Sequence, residues 1–400
     1  MDAVAERIVL RPVDEVAVMP LFSAPPELLH DRSNRGRCEL LPASQLPASS
    51  WYPEAVGSKG GDFSPPWWSP DPIIYSSAVQ LFRLREAYYL PAFGVIVTAA
   101  GEVMRASMVQ ASYRTPDLSL LPAAERLGNE TILNVPREID ELDRIVVSMP
   151  WGATINYGHF LLDCLPAIAL MIEIPDLGAY RFAFPPLEPW QRRHLQLLGV
   201  QDPIELDHPI YRVSDLVFTS CLGGFLNAPN VNYRTVREKQ LARKAPTRLS
   251  FKRVYITRKG HPSRTLLSER RLEERLQELD FSVVAPEEHT IDEQIDIFRN
   301  AELVVGCAGA AFANVLYCRR DTTVVEITPS RMVTPVTTSG RWVYNLCAIA
   351  GCRWRPYYCT QSESVQTVAV GDGQLREVGF TFDLDIEDLV KYVEGLAASA

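Results

Sequence analysis

From Arg253 onward the chain alternates short apolar runs with amphipathic segments, and this order constrains its fold more than any other feature. The strand-like runs are RVYITR, FSVVAP, LVVGCAG and TTVVEIT, and the helix-like segments SERRLEERLQEL, IDEQIDIFRNA and AAFANVLYC alternate with them. Parallel strands require long crossover connections, which helices usually supply. The order therefore predicts an α/β fold with a parallel, doubly wound sheet.

Changes in proline content and in the pattern of apolar residues along the chain predict the domain organisation. Prolines crowd residues 40–72, which predicts an irregular, Pro-rich N-terminal region over 1–72. The runs AVQLFRLREAYYL, FGVIVTAAGEV and RASMVQASY predict a β-meander, and helices and strands alternate after it. We therefore predict an N-terminal domain over 73–245, a C-terminal domain over 250–382, and a final helix over 383–400.

Capping and breaking residues predict where several helices begin or bend. Thr290 with Glu293 three residues later is a capping box at the start of one helix. Ser268 is placed to cap the start of the helix that follows it. Pro166 predicts a kink or interruption in an otherwise helical segment. The DxD sequence that ends in Asp385 resembles a metal-binding motif, but we interpret Asp385 as the cap of the last helix.

Composition and charge exclude several classes of protein. Lys and Arg number 40 against 49 Asp and Glu, so the net charge is -9, which disfavours nucleic acids and anionic membranes as partners. The chain has no apolar run long enough for a transmembrane helix, and its first residues do not resemble a signal peptide. The eight cysteines lack CxxC spacing and are interpreted as buried thiols. These features predict a cytoplasmic protein.

The sequence LVVGCAGAAFANVLYC has the composition of a phosphate-binding turn. An apolar strand ends at Gly306, and Gly309, Ala310 and Ala311 leave room for phosphates to approach the backbone at a helix start. Glu326 ends the next strand and is predicted to accept hydrogen bonds from a ribose. The spacing is not GxGxxG, which disfavours a nicotinamide-dependent oxidoreductase. Tight helix–strand packing without a ligand is the alternative.

A basic loop follows the first strand of the C-terminal domain. Arg258, Lys259, His261 and Arg264 lie together in an otherwise acidic chain, and Glu269 could hold one of the arginines in place. Ligands bind at the carboxyl ends of parallel strands, and guanidinium groups suit the diphosphate of a nucleotide sugar. The alternative is a solvated loop without a ligand.

The segment NYGHFLLDCLP carries a candidate general base. His159 follows Gly158 at the start of a helix, where the neutral imidazole is favoured, and Asp163 lies one turn further on the same face. A packed histidine without a catalytic role is the alternative interpretation.

Taken together, these segments resemble the family 61 glycosyltransferases over roughly residues 150–330. The residues that carry the resemblance are Tyr157-Gly158-His159-Phe160, Asp163, Arg258, Arg264, Ser268-Glu269, Asp280-Phe281, Glu293-Gln294, Gly306 to Ala310, Asn314 and Glu326. Three positions depart from the family pattern: Ala308 replaces a histidine, Ser268 an asparagine and Asp280 a glycine.

The resemblance implies a GT-B architecture, in which two Rossmann-like domains face a cleft and the C-terminal one binds the donor. It also implies inverting transfer from a nucleotide sugar, usually a UDP-sugar, to a glycan or other hydroxyl acceptor, without a metal or other cofactor. The expected catalytic residues are His159 as general base and Asp163 as its partner. The expected substrate-binding residues are Arg258, Lys259, Arg264, Glu269, Gly309, Ala310, Ala311, Asn314 and Glu326. A non-catalytic nucleotide-sugar-binding protein, favoured by Ala308, is the alternative.

Overall fold

The computed structural model describes residues 4–13, 35–41, 44–47, 56–57, 73–76, 79–104, 107, 118–148, 151–219, 232–261, 263–329, 342–359, 364–370 and 374–398. The chain forms two compact units. The N-terminal unit comprises Met1–Gln45 and Tyr75–Arg243, and the C-terminal unit comprises Leu46–Ile74 and Lys244–Ala400. Residues 1–72, which we expected to form one region, are thus divided between the units.

The N-terminal unit contains a nine-stranded mixed sheet. Its main path runs through Ile204–Glu205, Arg181–Phe184, Glu141–Val147, Tyr211–Thr219, Val79–Leu90, Val95–Thr98, Glu102–Met104 and Arg11–Val13, and Arg35–Leu41 also pairs with Val79–Leu90. The first four strands are parallel and the fifth joins them antiparallel. The next two strands continue antiparallel, which confirms the start of the predicted meander. Most of RASMVQASY lies outside the described residues.

Smaller elements complete this part of the chain. The strands Val4–Val9, Glu130–Pro136 and Ala124–Leu127 form an antiparallel sheet. The further strands are Ser44–Pro47 and Ile73–Ser76. The α-helices are Trp151–Ile155, Tyr157–His159, Leu165–Met171, Pro189–Leu198 and Asn232–Arg243, with a π-helix at Phe160–Cys164 and 3-10 helices at Pro91–Phe93, Leu118–Leu120 and Pro175–Ala179.

The C-terminal unit contains the predicted parallel sheet. Its strands lie in the order Ser282–Val284, Arg253–Ile256, Leu303–Cys307, Thr323–Pro329, Arg353–Cys359 and Val56–Gly57. Every neighbouring pair is parallel. The prediction of an α/β fold with a parallel sheet is therefore confirmed for this unit. A separate small sheet joins Thr265–Leu266, Gln374–Phe382 and Val365–Val370.

Helices cover both faces of the parallel sheet. Leu272 and Leu389, from the helices Glu269–Gln277 and Ile386–Ala398, pack against the face that carries Val305. Gly306 points to the opposite face, where Phe312 lies against it. The remaining helices of the unit are Pro286–Glu288 (3-10), Ile291–Asn300, Ala310–Tyr317 (3-10) and Trp342–Ala350. Burial on both faces explains the apolar runs in the sequence.

Three of the four predictions about helix ends are confirmed. The Thr290 side chain accepts a hydrogen bond from the backbone of Glu293 and the capping box is complete. Asp385 accepts from the backbone N–H of Asp388 at 3.1 Å. Pro166 lies in the first turn of Leu165–Met171, so the interruption falls in the π-helix just before it.

The prediction for Ser268 is wrong. Its side chain makes no capping hydrogen bond to the helix that begins at Glu269, and its hydroxyl donates instead to the carboxylate of Asp383.

Two whole-chain expectations can be compared with the described residues. Six cysteines there are buried and form no disulfide: Cys164, Cys307, Cys318, Cys347, Cys352 and Cys359. No helix within the described ranges combines the length and apolar character needed to span a membrane.

Candidate active site

The basic loop of the C-terminal unit begins with a tight turn at the end of the strand Arg253–Ile256. The backbone N–H of His261 donates to the carbonyl oxygen of Arg258 at 3.0 Å. Gly260 closes the turn with a φ of +87°, a conformation that favours glycine. Arg264 also lies in the left-handed region, with a φ of 61°, immediately before the strand Thr265–Leu266. The loop is thus held at both ends by regular structure.

Glu269 holds the start of the basic loop in place through hydrogen bonds. Its Oε1 atom accepts hydrogen bonds from the Tyr255 hydroxyl at 3.2 Å, the Thr257 hydroxyl at 3.3 Å and the backbone N–H of Arg258 at 2.6 Å. The residue is buried. A carboxylate that accepts several hydrogen bonds is well compensated in the interior. Glu269 therefore supports the backbone of Arg258 rather than the guanidinium that the sequence suggested.

The guanidinium of Arg258 lies against Gly309. A Cβ atom at residue 309 would lie only 2.2 Å from Nη1 of Arg258. The φ of Gly309 is -179°, so the glycine is required for space and not for a left-handed backbone. Nη2 of Arg258 donates to the Ser263 carbonyl at 2.8 Å, and its buried Nε has no hydrogen-bond partner. The basic loop and the glycine turn are therefore in direct contact.

Arg264 lies close enough to Arg258 for the two charges to repel each other. Burial and, after it, the charge of Arg258 lower the pKa of Arg264 to about 10. The side chain of Arg264 remains cationic at neutral pH. Two like charges near each other in a partly buried loop favour the binding of an anion, because an anion relieves their repulsion.

The other basic residues of the loop are more exposed. The side chain of Lys259 is exposed, and its backbone N–H donates to the Thr257 hydroxyl at 3.1 Å. The imidazole of His261 pairs with the carboxylate of Glu287 at 3.0 Å on the surface. The two arginines, and not the lysine or histidine, are therefore the cations that the fold brings to the glycine turn.

The segment after Gly309 is a 3-10 helix, Ala310–Tyr317, where we expected an α-helix. Ala310 and Ala311 are half-buried at its first turn. Asn314 is fully buried, and its amide donates to Oε1 of Gln294 at 3.2 Å. Asn314 therefore ties this helix to the neighbouring helix Ile291–Asn300, and its contact with a substrate stays a prediction. Gln294 is one of the residues that carry the family resemblance, but its position in the sequence does not predict this contact.

Glu326 is buried beside the glycine turn. It pairs in register with Gly306 on the neighbouring strand and is only 3% exposed. The indole N–H of Trp354 donates to its Oε2 atom at 2.8 Å. Burial raises the pKa of Glu326 to about 8, although the Trp354 hydrogen bond and the charge of Arg264 act in the opposite direction. The observed partner of Glu326 is thus the indole of Trp354. Trp354 lies outside residues 150–330, where the family resemblance is found, so the motifs do not predict this contact.

The candidate base of the N-terminal unit has the expected partner. Nδ1 of His159 lies 2.8 Å from Oδ2 of Asp163, whose side chain is fully buried, while 19% of the His159 side chain is exposed. Asn156 caps this first turn by accepting from the backbone N–H of His159 at 3.2 Å. When Nδ1–H donates to Asp163, the neutral ring has its lone pair on Nε2, as a general base requires.

A π-helix at Phe160–Cys164 carries Asp163. The wider turn makes this short segment different from a regular helix, and such π-bulges occur frequently at functional sites. Phe160 packs edge-on against Trp190, with ring centroids 5.1 Å apart. This packing holds the segment in place, and no signal in the sequence predicts the π-helix.

The described residues contain no group of three or more His, Cys, Asp and Glu side chains that could hold a metal ion. The expectation of a metal-free site stays a prediction.

A parallel α/β sheet with guanidinium groups at the carboxyl ends of its strands is typical of proteins that bind phosphorylated ligands. The family model described as Glycosyltransferase 61 matches residues 157–325, so this segment of the chain is similar to that family. The predicted resemblance is confirmed over this segment, and the proteins of that family are glycosyltransferases. The match contains both the His159–Asp163 pair and the basic loop, and it ends one residue before Glu326. No curated protein matches the chain.

Proposed function

We propose that this protein is an inverting glycosyltransferase that moves a sugar from a UDP-sugar to a hydroxyl group of a glycan, without an essential metal. The observation that carries the proposal is the contact between the Arg258 guanidinium and Gly309, with the second cation, Arg264, beside it. The donor diphosphate binds these two arginines. They stabilise the negative charge that grows on the diphosphate as it leaves, which a bound metal does in other enzymes.

His159 acts as the general base in this mechanism. The acceptor oxygen forms a bond to the anomeric carbon while the bond from that carbon to the diphosphate oxygen breaks. The acceptor proton passes to Nε2 of His159, and the nucleoside diphosphate leaves with the bonding electrons. Asp163 accepts the Nδ1–H hydrogen bond and stabilises the imidazolium that results. A single displacement of this kind inverts the anomeric configuration.

The proposal includes the GT-B fold class that the family resemblance implies. It also includes a role in the synthesis of a polysaccharide in the cytoplasm. Neither part is needed for the test of the donor site that follows.

Calorimetric titration with UDP tests the donor site directly. Arg264→Ala is expected to weaken binding by about 1.5–3 kcal/mol, or about 10- to 150-fold, because a charge-assisted contact is lost. Lys259→Ala is the matched control, since its exposed side chain is expected to contribute much less. Equal affinity in wild type and Arg264→Ala would remove Arg264 from the diphosphate site.

A second candidate function is a nucleotide-sugar-binding protein without catalytic activity. The observation in its favour is Ala308, which stands where the family pattern has a histidine and is buried, with its N–H donating to the Ile327 carbonyl at 3.0 Å. A screen of UDP-, GDP- and CMP-sugars by thermal shift, followed by a turnover assay with the sugar that binds, separates the candidates. Binding without transfer or hydrolysis would favour the second.

A further inference from the structure

Trp190 is a half-buried aromatic residue in the first turn of the helix Pro189–Leu198. Its ring packs against the rings of Tyr157, Phe160 and His194, with centroid distances of 5.4, 5.1 and 6.5 Å. Its indole N–H has no hydrogen-bond acceptor among the described residues and is not buried. Aromatic packing therefore holds the ring, while its hydrogen-bond donor is open to a ligand.

The ring contacts of Trp190 lie on both sides of the candidate base in the chain. Tyr157 comes two residues before His159, and Phe160 follows His159 directly. The imidazole of His159 is itself partly exposed. Because Trp190 touches residues on either side of His159, its indole lies within reach of a small ligand that is bound at the imidazole.

The side chain of Gln191 fixes the position of the neighbouring Trp190. It is fully buried, and its amide oxygen accepts a hydrogen bond from the backbone N–H of Glu188 at 2.8 Å. Its amide nitrogen donates to the carbonyl oxygen of Ala153 at 3.1 Å. Ala153 belongs to the helix Trp151–Ile155, which directly precedes the turn with the candidate base. The indole is thus preorganised relative to that turn, which lowers the entropic cost of binding a ligand.

We propose that Trp190, with Tyr157 beside it, binds a sugar ring of the acceptor. The inference rests on the proposed function, in which His159 takes the proton from the acceptor hydroxyl. A pyranose presents a face of C–H groups that packs on an aromatic ring, and its hydroxyl oxygens accept a hydrogen bond from the indole N–H. The side chain of a serine or threonine in an unglycosylated peptide has no such face. The acceptor that fits this surface is therefore a saccharide.

A glycan array followed by direct titration tests the assignment. The full chain is applied to immobilised oligosaccharides of varied composition, and the saccharide that is retained most strongly becomes the probe. Trp190→Ala is expected to weaken the binding of this saccharide about tenfold or more, because the packing surface and the donor are both lost. UDP affinity is expected to stay unchanged, since Arg258 and Arg264 belong to the other unit.

Trp190→Phe tests whether the indole itself contacts the sugar. It keeps an aromatic ring beside Phe160 but removes the N–H donor, and it remains informative should Trp190→Ala fail to fold. The saccharide is expected to bind more weakly than to wild type and more tightly than to Trp190→Ala. In wild type the saccharide is expected to change the tryptophan fluorescence, and Trp190→Phe is expected to abolish this change although six other tryptophans remain. A merely structural role would not assign the fluorescence change to this one residue.

Gln196→Ala is the matched control, because Gln196 is an exposed residue of the same helix. Its saccharide affinity and its fluorescence response are expected to equal those of wild type. An effect as large as that of Trp190→Ala would assign the loss to the helix and overturn the inference.

The remaining outcomes separate this inference from the proposed function. A wild-type protein that binds UDP but retains no saccharide overturns the inference alone. Wild-type saccharide affinity in Trp190→Ala, or an unchanged fluorescence response in Trp190→Phe, does the same. Saccharide binding that depends on Trp190, in a protein that binds neither UDP nor UDP-glucose, overturns the proposed function and leaves Trp190 as part of a sugar-binding surface.

Discussion

Gly309→Ala is expected to have a specific effect on ligand binding, because its added methyl group lies next to Arg258. The new Cβ in Gly309→Ala would displace Nη1 of Arg258, which is the end of a flexible side chain and can move. The free energy of unfolding is therefore expected to change by less than about 1 kcal/mol, while UDP affinity falls about tenfold or more. Gly178→Ala is the control, since a Cβ there meets nothing within 4 Å. Unchanged UDP affinity in Gly309→Ala would contradict the contact.

The His159–Asp163 pair makes the second prediction about single residues. His159→Ala is expected to lower kcat by about 10²–10⁴-fold with donor affinity retained, because the base acts only on the acceptor proton. Asp163→Asn is expected to lower kcat less, since it removes the group that orients the imidazole. The comparison needs kcat and donor affinity for both variants. Near-normal kcat in His159→Ala with an inactive Asp163→Asn would reverse the two roles.

Thr290 and Ser268 both precede helices, but the side chain of Thr290 caps its helix and that of Ser268 does not. This difference predicts unequal effects on the stability of the two helices. Thr290→Ala removes the acceptor for the Glu293 N–H, so the opening free energy of the helix Ile291–Asn300 is expected to fall by about 1 kcal/mol. Hydrogen exchange of its amides measures this change. Ser268→Ala is the matched control, because the Ser268 hydroxyl does not cap Glu269–Gln277. Similar effects of both substitutions would contradict the difference.

Elements with strong local signals could be predicted, and those decided by tertiary contacts could not. The strands of the parallel sheet were predictable because they are buried on both faces and therefore continuously apolar. The 3-10 geometry of Ala310–Tyr317 was not, because a short apolar run has no signal that separates it from an α-helix. At the site, the His159–Asp163 contact followed from helical spacing. The partners of Glu326 and Asn314, Trp354 and Gln294, lie on other elements, and spacing alone does not identify them.

The absence of a metal requirement is a prediction about the whole enzyme. Sugar transfer is expected to continue at an unchanged rate after treatment with EDTA, because Arg258 and Arg264 supply the positive charge that the leaving diphosphate needs. The measurement is the rate of sugar-nucleotide turnover with acceptor, with and without the chelator. Loss of the rate under EDTA and its recovery with Mn²⁺ would contradict the mechanism.

At the scale of the molecule, the division of the chain into two units is discontinuous, and the discontinuous part could not be predicted from the sequence. The chain passes from the N-terminal unit to the C-terminal unit between Arg243 and Lys244. The assignment of residues 46–74 to the C-terminal unit has no counterpart in the sequence pattern. A strand as short as Val56–Gly57 carries no periodicity, and its partner strand lies far along the chain.

The pairing of Val56 with Tyr357 also bears on how the protein is made. About 300 residues separate these partners, and at translation rates of about 5–20 residues per second the first waits on the order of 15–60 seconds for the second to leave the ribosome. Until then the edge of the C-terminal sheet cannot be completed, and a bare strand edge is a site for aggregation. The early segment must therefore stay available until the late strand has been made, and a fragment that begins at Lys244 would lack Val56–Gly57 and leave that edge uncovered.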